Sequence, residues 1–215
     1  MIFPSLSMPV VSAASRLHFP FILKHVFTLL GFLCCCIPTL PAQHTYRILN
    51  DEREALQCRI DLIQKAKSEI LLSTFIIKDD VLGGTMLQLL IDAAKRGVTV
   101  RVMVDDFGNH LSSDLLVYLA EQGVENRVFN IKKIGKFRTM VDRMHGKMLI
   151  TDRQQFIVGG RNLKQQYYNL DSISNFLDRE VYVRDTAAVN AARAHFYDIW
   201  TYPKIIGRKT AKLTD

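Results

Sequence analysis

The stretch Arg143–Asn162 reads RMHGKMLITDRQQFIVGGRN and holds the residues best suited to chemistry. His145 and Lys147 are two apart, and Asp152 follows five residues later. On an extended strand, residues i and i+2 point to the same face, so imidazole and ammonium project together. Gly146 opens space between them. Such a pair suits attack on a phosphodiester: the imidazole acts as nucleophile or as general acid and base. The ammonium stabilises non-bridging oxygens as negative charge builds. Because the cation is a side chain, the chemistry requires no metal and no cofactor. Gly159 and Gly160 let a second backbone approach closely, and Asn162 then offers an amide donor to the same phosphate. A lone His-x-Lys is common; the added Asp and the Gly-Gly-x-Asn that follows make the set specific.

The elements that must carry these residues alternate in type. Helical spacing of Ala55, Ile60, Leu62, Ile63 and Ala66 predicts a helix. Glu69 to Ile77 is short, apolar and β-branched, which predicts a buried strand. A helix is expected from about Thr85 to Arg96, stopped at Gly97. Strands follow at Val98 to Asp105 and over VENRVFN, separated by a helix capped at Ser112 or Ser113 and ended by Gly123. HGKMLIT and QQFIVGG read as strands joined by a turn at Asp152 and Arg153; Arg179 to Asp185 reads as another strand. TAAVNAARAHFYDIW closes as a helix. This alternation predicts an α/β fold with a largely parallel sheet. The segment 131–143 is basic and without period. It reads as a loop bordering the site, with Lys132, Lys133, Lys136, Arg138 and Arg143 drawing in an anion.

Composition sets the partners. With 215 residues and 48% hydrophobic content, the chain is long enough for one domain with a real core. A net charge of +7 favours anionic partners, whether phospholipid headgroups, nucleic acid or phosphate esters. Residues 1–43 stand apart: Arg16, Lys24 and His25 precede the apolar run Val26 to Ala42. That pattern is an export signal or an uncut membrane anchor, so an exported or membrane-associated protein is expected. Cys34, Cys35 and Cys36 lie within this run, and adjacent cysteines cannot form a spaced zinc set. Cys58 is alone in the folded part and reads as a small core residue.

His145-x-Lys147-x-x-x-x-Asp152 followed by Gly159-Gly160-Arg161-Asn162 resembles the phospholipase D superfamily. AKRGVTVRVMVDD, RMHGKMLITD, VGGRN and the segment from Asp178 to Trp200 are similar to the amino-terminal half of bacterial cardiolipin synthase-like phosphatidyltransferases. The resemblance implies an α-β-α sandwich over residues 44–215. It implies that His145 attacks phosphorus to form a phosphohistidine, with Lys147 and Asp152 completing the catalytic motif, Asp152 in a role more structural than catalytic. Lys147, Asn162 and Gly160 become the phosphate-binding set, and Glu180 the carboxylate that fixes the tautomer of the histidine.

The resemblance also requires a second such motif across the cleft, to protonate the leaving alcohol. His18, His25, His44, His110 and His195 have no Lys two residues on. The second motif is then expected from a homodimer mate or from a partner chain, unless the chain is an inactive remnant. Phospholipid at a membrane surface is the expected substrate. A single-motif homodimeric endonuclease acting on nucleic acid is the alternative, and a non-catalytic phosphate- or lipid-binding half-domain is a third reading.

Overall fold

The computed structural model describes residues 44–129 and 143–202, and the backbone of 205–207. The expected export segment, the three adjacent cysteines and most of the basic loop, including Lys132, Lys133, Lys136 and Arg138, lie outside the described residues. Among the described residues, no helix is long and apolar enough to cross a membrane.

The chain runs β1 (Thr45–Leu49), α1 (Glu52–Lys65), β2 (Glu69–Thr74), α2 (Val81–Lys95), β3 (Thr99–Asp105), α3 (Ser113–Glu121) and β4 (Val124–Phe129). After the basic segment come β5 (Met148–Thr151), β6 (Gln155–Gly159), a 3-10 turn (Gln165–Tyr168), β7 (Glu180–Arg184), α4 (Thr186–Trp200) and β8 (Ile205–Gly207). The strands form one mixed sheet in the order β1-β7-β6-β5-β2-β3-β4-β8. Parallel pairing is confined to β2–β3 and β3–β4, where α2 and α3 supply the crossovers. The remaining ladders are antiparallel, so the parallel share is smaller than expected. The reason is connection length: β5 and β6 are joined by a tight turn, which leaves no chain for a crossover. Asp152 and Arg153 both sit at positive φ in that turn (53° and 58°), a left-handed pair closed by Gln154 N donating to Thr151 O at 3.1 Å within the three-residue loop.

Each helix begins with a side-chain cap. Asp51, Asp80, Ser112 and Asp185 accept from the backbone N–H three residues on. Helix α2 starts at Val81, four residues before the expected Thr85, because Gly83 and Gly84 read as breakers. Gly83 is a packing requirement instead: a Cβ there would lie 1.9 Å from the Lys78 carbonyl oxygen.

Helices α1 to α3 cover one face of the sheet. Leu62, Ile63, Leu90 and Leu119 meet Ile70, Leu72, Val100, Val102 and Leu149 there. Helix α4 covers part of the other, with Val189, Phe196 and Trp200 against Leu71, Met103, Ile150 and Val183. This is an α-β-α sandwich. On the α1 side a charged cluster is buried within the apolar layer. Glu180, at the start of β7, pairs with Arg59 of α1 and lies 3.8 Å from Arg161. The Arg161 guanidinium donates to the carbonyls of Leu49, Asn50 and Tyr167. Burial would lower the pKa of Arg59, but the Glu180 carboxylate overcomes it and keeps the guanidinium charged.

Glu180→Ala strands Arg59 in the core and is expected to cost about 3–5 kcal/mol in urea denaturation. The paired replacement Arg59→Met with Glu180→Leu is expected to recover part of that loss, since Arg161 keeps its carbonyl partners but loses the Glu180 charge. A single substitution as mild as an exposed one would contradict this reading of the cluster.

Candidate active site

The parallel strands β2 and β3 end together, and the segments leaving them build one side of the site. Phe75 follows β2. Gly108 follows β3, and a Cβ on it would lie 2.5 Å from the Phe75 carbonyl oxygen. The Phe75 ring packs against the His145 imidazole at 5.1 Å, tilted by 52°. His145 is exposed, and a Cβ at Gly146 would meet nothing within 4 Å, so the approach to the imidazole is open.

The β5 ladder begins at Met148 rather than at His145. The preceding residues are nonetheless held. Asp105, fully buried at the end of β3, accepts from Met144 N at 2.9 Å and from Phe107 N at 2.8 Å. Arg143 pairs with the same carboxylate at 3.3 Å, and its guanidinium lies over the Phe107 ring. Arg143 therefore does not reach out to draw in an anion, as expected of it; it anchors the segment that carries His145.

Lys147 is 4% exposed. Its ammonium donates to the His145 carbonyl at 2.7 Å and lies 3.3 Å from Nδ1 and 3.5 Å from Nε2 of the same residue. The expected pairing of imidazole and ammonium is present. Burial pushes the Lys147 pKa below its ordinary value, and the Asp178 carboxylate opposes that shift.

The two glycines act as expected at Gly159 and differently at Gly160. A Cβ on Gly159 would lie 2.5 Å from the Arg179 carbonyl oxygen, so it admits the β7 backbone. A Cβ on Gly160 would lie 2.1 Å from the Asp178 carboxylate. The Gly160 N–H donates to Arg179 O at 3.2 Å, so it is already spent and does not face a phosphate. Gly160 makes room for Asp178 instead. Asn162 is 3% exposed; its carbonyl accepts from Ile76 N at 3.0 Å, and its amide donates to the Tyr167 hydroxyl at 3.0 Å. One amide hydrogen remains beyond these bonds.

One assignment, that of Glu180, is corrected, and Asp152 stands apart from the reacting groups. Asp152 lies at the far end of β5, seven residues from His145, about 23 Å along an extended chain. Its carboxylate accepts from the N–H groups of Lys67, Ser68 and Glu69 and from the Ser68 hydroxyl. It fixes the hairpin to the start of β2 and touches no reacting group. Glu180 does not hold the histidine; its side chain points to α1 and is bound to Arg59. Asp178, two residues earlier, lies against Gly160, and its charge acts on Lys147. Asp178, Asp105, Phe75 and Tyr167 escaped the sequence reading because none belongs to the motif. The Gly-Gly pair was the available signal, since it marks the point where a neighbouring segment comes close.

Residues 59–200 match the family described as cardiolipin synthase, PLD-like domain. The chain belongs to that phospholipase D-like family. Among curated relatives it is 31% identical over 159 residues to cardiolipin synthase 2 of Bacillus anthracis, covering 73% of this chain and 31% of that protein. The chain thus spans about a third of the length of the curated relatives it matches. Its fold is shared with Nuc of Salmonella typhimurium, a phospholipase D family member, at a TM-score of 0.57 and 19% identity, over 78% of this chain and 99% of that one. It is shared also with phosphatidylserine synthase of Haemophilus influenzae, at a TM-score of 0.63 and 14% identity, over 74% and 38% respectively.

Two outcomes are expected. Lys147, followed by NMR of its side chain, titrates below free lysine, and Asp178→Asn lowers it further, because removing an anion destabilises the ammonium. An unchanged or raised value would remove Asp178 from the site. Asp152→Ala lowers stability by about 2–3 kcal/mol through lost hydrogen bonds. Its carboxyl is held below the ordinary range by backbone donors, although burial opposes them. That stabilisation is complete above the ordinary carboxylate pKa and is lost as pH falls through the lowered value. The Asp152→Ala deficit in chemical denaturation should therefore shrink in strong acid.

Proposed function

We propose that the protein is a phospholipase D-like enzyme that acts on phosphatidyl groups through a phosphohistidine on His145. The observation that carries this reading is the Lys147 ammonium, buried and held 3.3 Å from the His145 ring. An open imidazole beside a fixed cation is arranged for in-line attack on a phosphodiester. A ring nitrogen of His145 forms a bond to phosphorus as the bond to the leaving alkoxide breaks. The leaving oxygen takes a proton from a second histidine, and that histidine then deprotonates the water or alcohol that attacks the phosphohistidine. Lys147 balances charge on the non-bridging oxygens, and the remaining amide hydrogen of Asn162 is placed to share in this.

The second histidine comes from another motif, on a dimer mate or on a partner chain. Phospholipid is the preferred substrate because sequence similarity runs to cardiolipin synthases, and the +7 charge suits anionic headgroups. A nucleic-acid substrate is the second reading. It is favoured by the same +7 charge, which suits a nucleic-acid backbone as well as it suits headgroups. An N-terminal export signal or anchor would place the enzyme at a membrane.

The test is the mass of the purified chain in solution with turnover of phosphatidylglycerol and of single-stranded DNA measured on the same fractions. We expect a dimer that turns over lipid and loses about a thousand-fold or more as His145→Gln. Full activity of His145→Gln would refute the nucleophile, and turnover of DNA alone would transfer the assignment to the nuclease reading.

A further inference from the structure

The segment Leu170–Leu177, between the 3-10 turn and β7, carries large apolar side chains into solvent. Ile173 is 93% exposed, Leu177 95%, Leu170 47% and Phe176 43%. Isolated exposed aliphatics need no explanation, but four within eight residues, in an ordered loop, do. The loop is held from within. Asp171 accepts from the N–H groups of Ile173 and Ser174, and Asn175 donates back to the Asp171 carbonyl. Phe176 N donates to Gln166 O at 2.8 Å, and the Phe176 ring packs on Tyr167 at 5.1 Å. The conformation that exposes Ile173 and Leu177 is therefore built rather than frayed.

The loop is joined to the site at two points. Tyr167, against which Phe176 packs, receives the hydrogen bond from Asn162. Leu177 is followed directly by Asp178, whose carboxylate fills the space above Gly160. Cations flank the loop that carries the apolar tip. Lys164 lies over the Phe176 ring at 5.3 Å, Lys78 and Lys164 both act on Asp171, and Arg179 is exposed. The two carboxylates of the loop are each engaged locally, Asp171 by the N–H groups of Ile173 and Ser174 at the surface and Asp178 by Arg179 N.

We infer that Leu170–Leu177 is an interfacial anchor, which inserts Ile173 and Leu177 into an anionic phospholipid surface. Insertion sets the mouth of the His145 site against the headgroup layer. The apolar tip enters the acyl boundary while Lys78, Lys164 and Arg179 stay at the phosphate level, the arrangement that membrane-surface segments use. This rests on the phospholipid reading for its use but not for its measurement.

The full chain is used, with Ile173→Trp as the probe. The protein has one native tryptophan, Trp200, which is 5% exposed in the core and gives a constant background. Vesicles of brominated phosphatidylglycerol should quench the added emission, and raised salt should weaken the effect. Absence of quenching overturns the inference. The double variant Ile173→Ser with Leu177→Ser should lower turnover of vesicle phosphatidylglycerol about ten-fold to a hundred-fold. Turnover of the soluble ester bis(p-nitrophenyl) phosphate should stay at the wild-type level, since neither residue touches the reacting atoms. Loss on both substrates with a lower mass in solution would make the loop a contact between chains, which overturns the inference too. Quenching without any lipid turnover by the unaltered protein would keep the anchor and refute the enzymatic reading.

Discussion

A lysine ammonium taken out of water must be given back what the water supplied, and the structure is organised around that demand at Lys147. The buried ammonium receives the His145 carbonyl, the edge of the imidazole, the face of Phe75 at 5.8 Å and the field of Asp178. Each of these comes from a different part of the chain. Phe75 arrives at the end of β2, His145 is steadied through Asp105 at the end of β3, and Asp178 arrives on the approach to β7. The sheet brings the ends of these elements to one edge, which is why the site sits there.

Acidic residues in this fold divide by what surrounds them. Asp105 is fully buried and spends its oxygens on backbone N–H groups and Arg143, so it orders the segment that carries His145. Asp152 does the same for the β5–β6 hairpin at the other end of the sheet. Glu180 neutralises two buried guanidinium groups and binds β7 to α1. Asp178 is half-buried and lies where its charge acts on Lys147. The same functional group is structural where it meets backbone donors or arginine, and sets the charge balance of the candidate site where its field reaches the buried ammonium.

The segment between the 3-10 turn and β7 ties binding to chemistry. Its apolar tip faces solvent, while its last residue abuts the carboxylate above Gly160. Cys58, the one cysteine among the described residues, has no part in this: it is half-buried beside Arg47, and burial pushes its thiol pKa up.

Much of the fold was legible because it rests on local signals. Caps, buried β-branched runs and helical spacing identified α1, α3, α4 and strands β2 to β4, β6 and β7, and placed β5 within a run read as starting too early. They missed β1, whose residues Tyr46 and Ile48 are exposed and whose strand state depends on pairing with β7. They misjudged the start of α2, where Gly83 answers to a neighbouring carbonyl and not to helix propensity. In the site, the sequence by itself determined that an imidazole and an ammonium two residues apart come together, and His145 and Lys147 do so in the extended segment just ahead of β5. It also marked Gly159 and Gly160 as a point of close approach. Only the tertiary structure decided which carboxylate comes there. Asp152 and Glu180 are nearer to the motif's wording, but it is the field of Asp178 that acts on the Lys147 ammonium, since which charges meet depends on how the sheet folds back on itself and not on position along the chain.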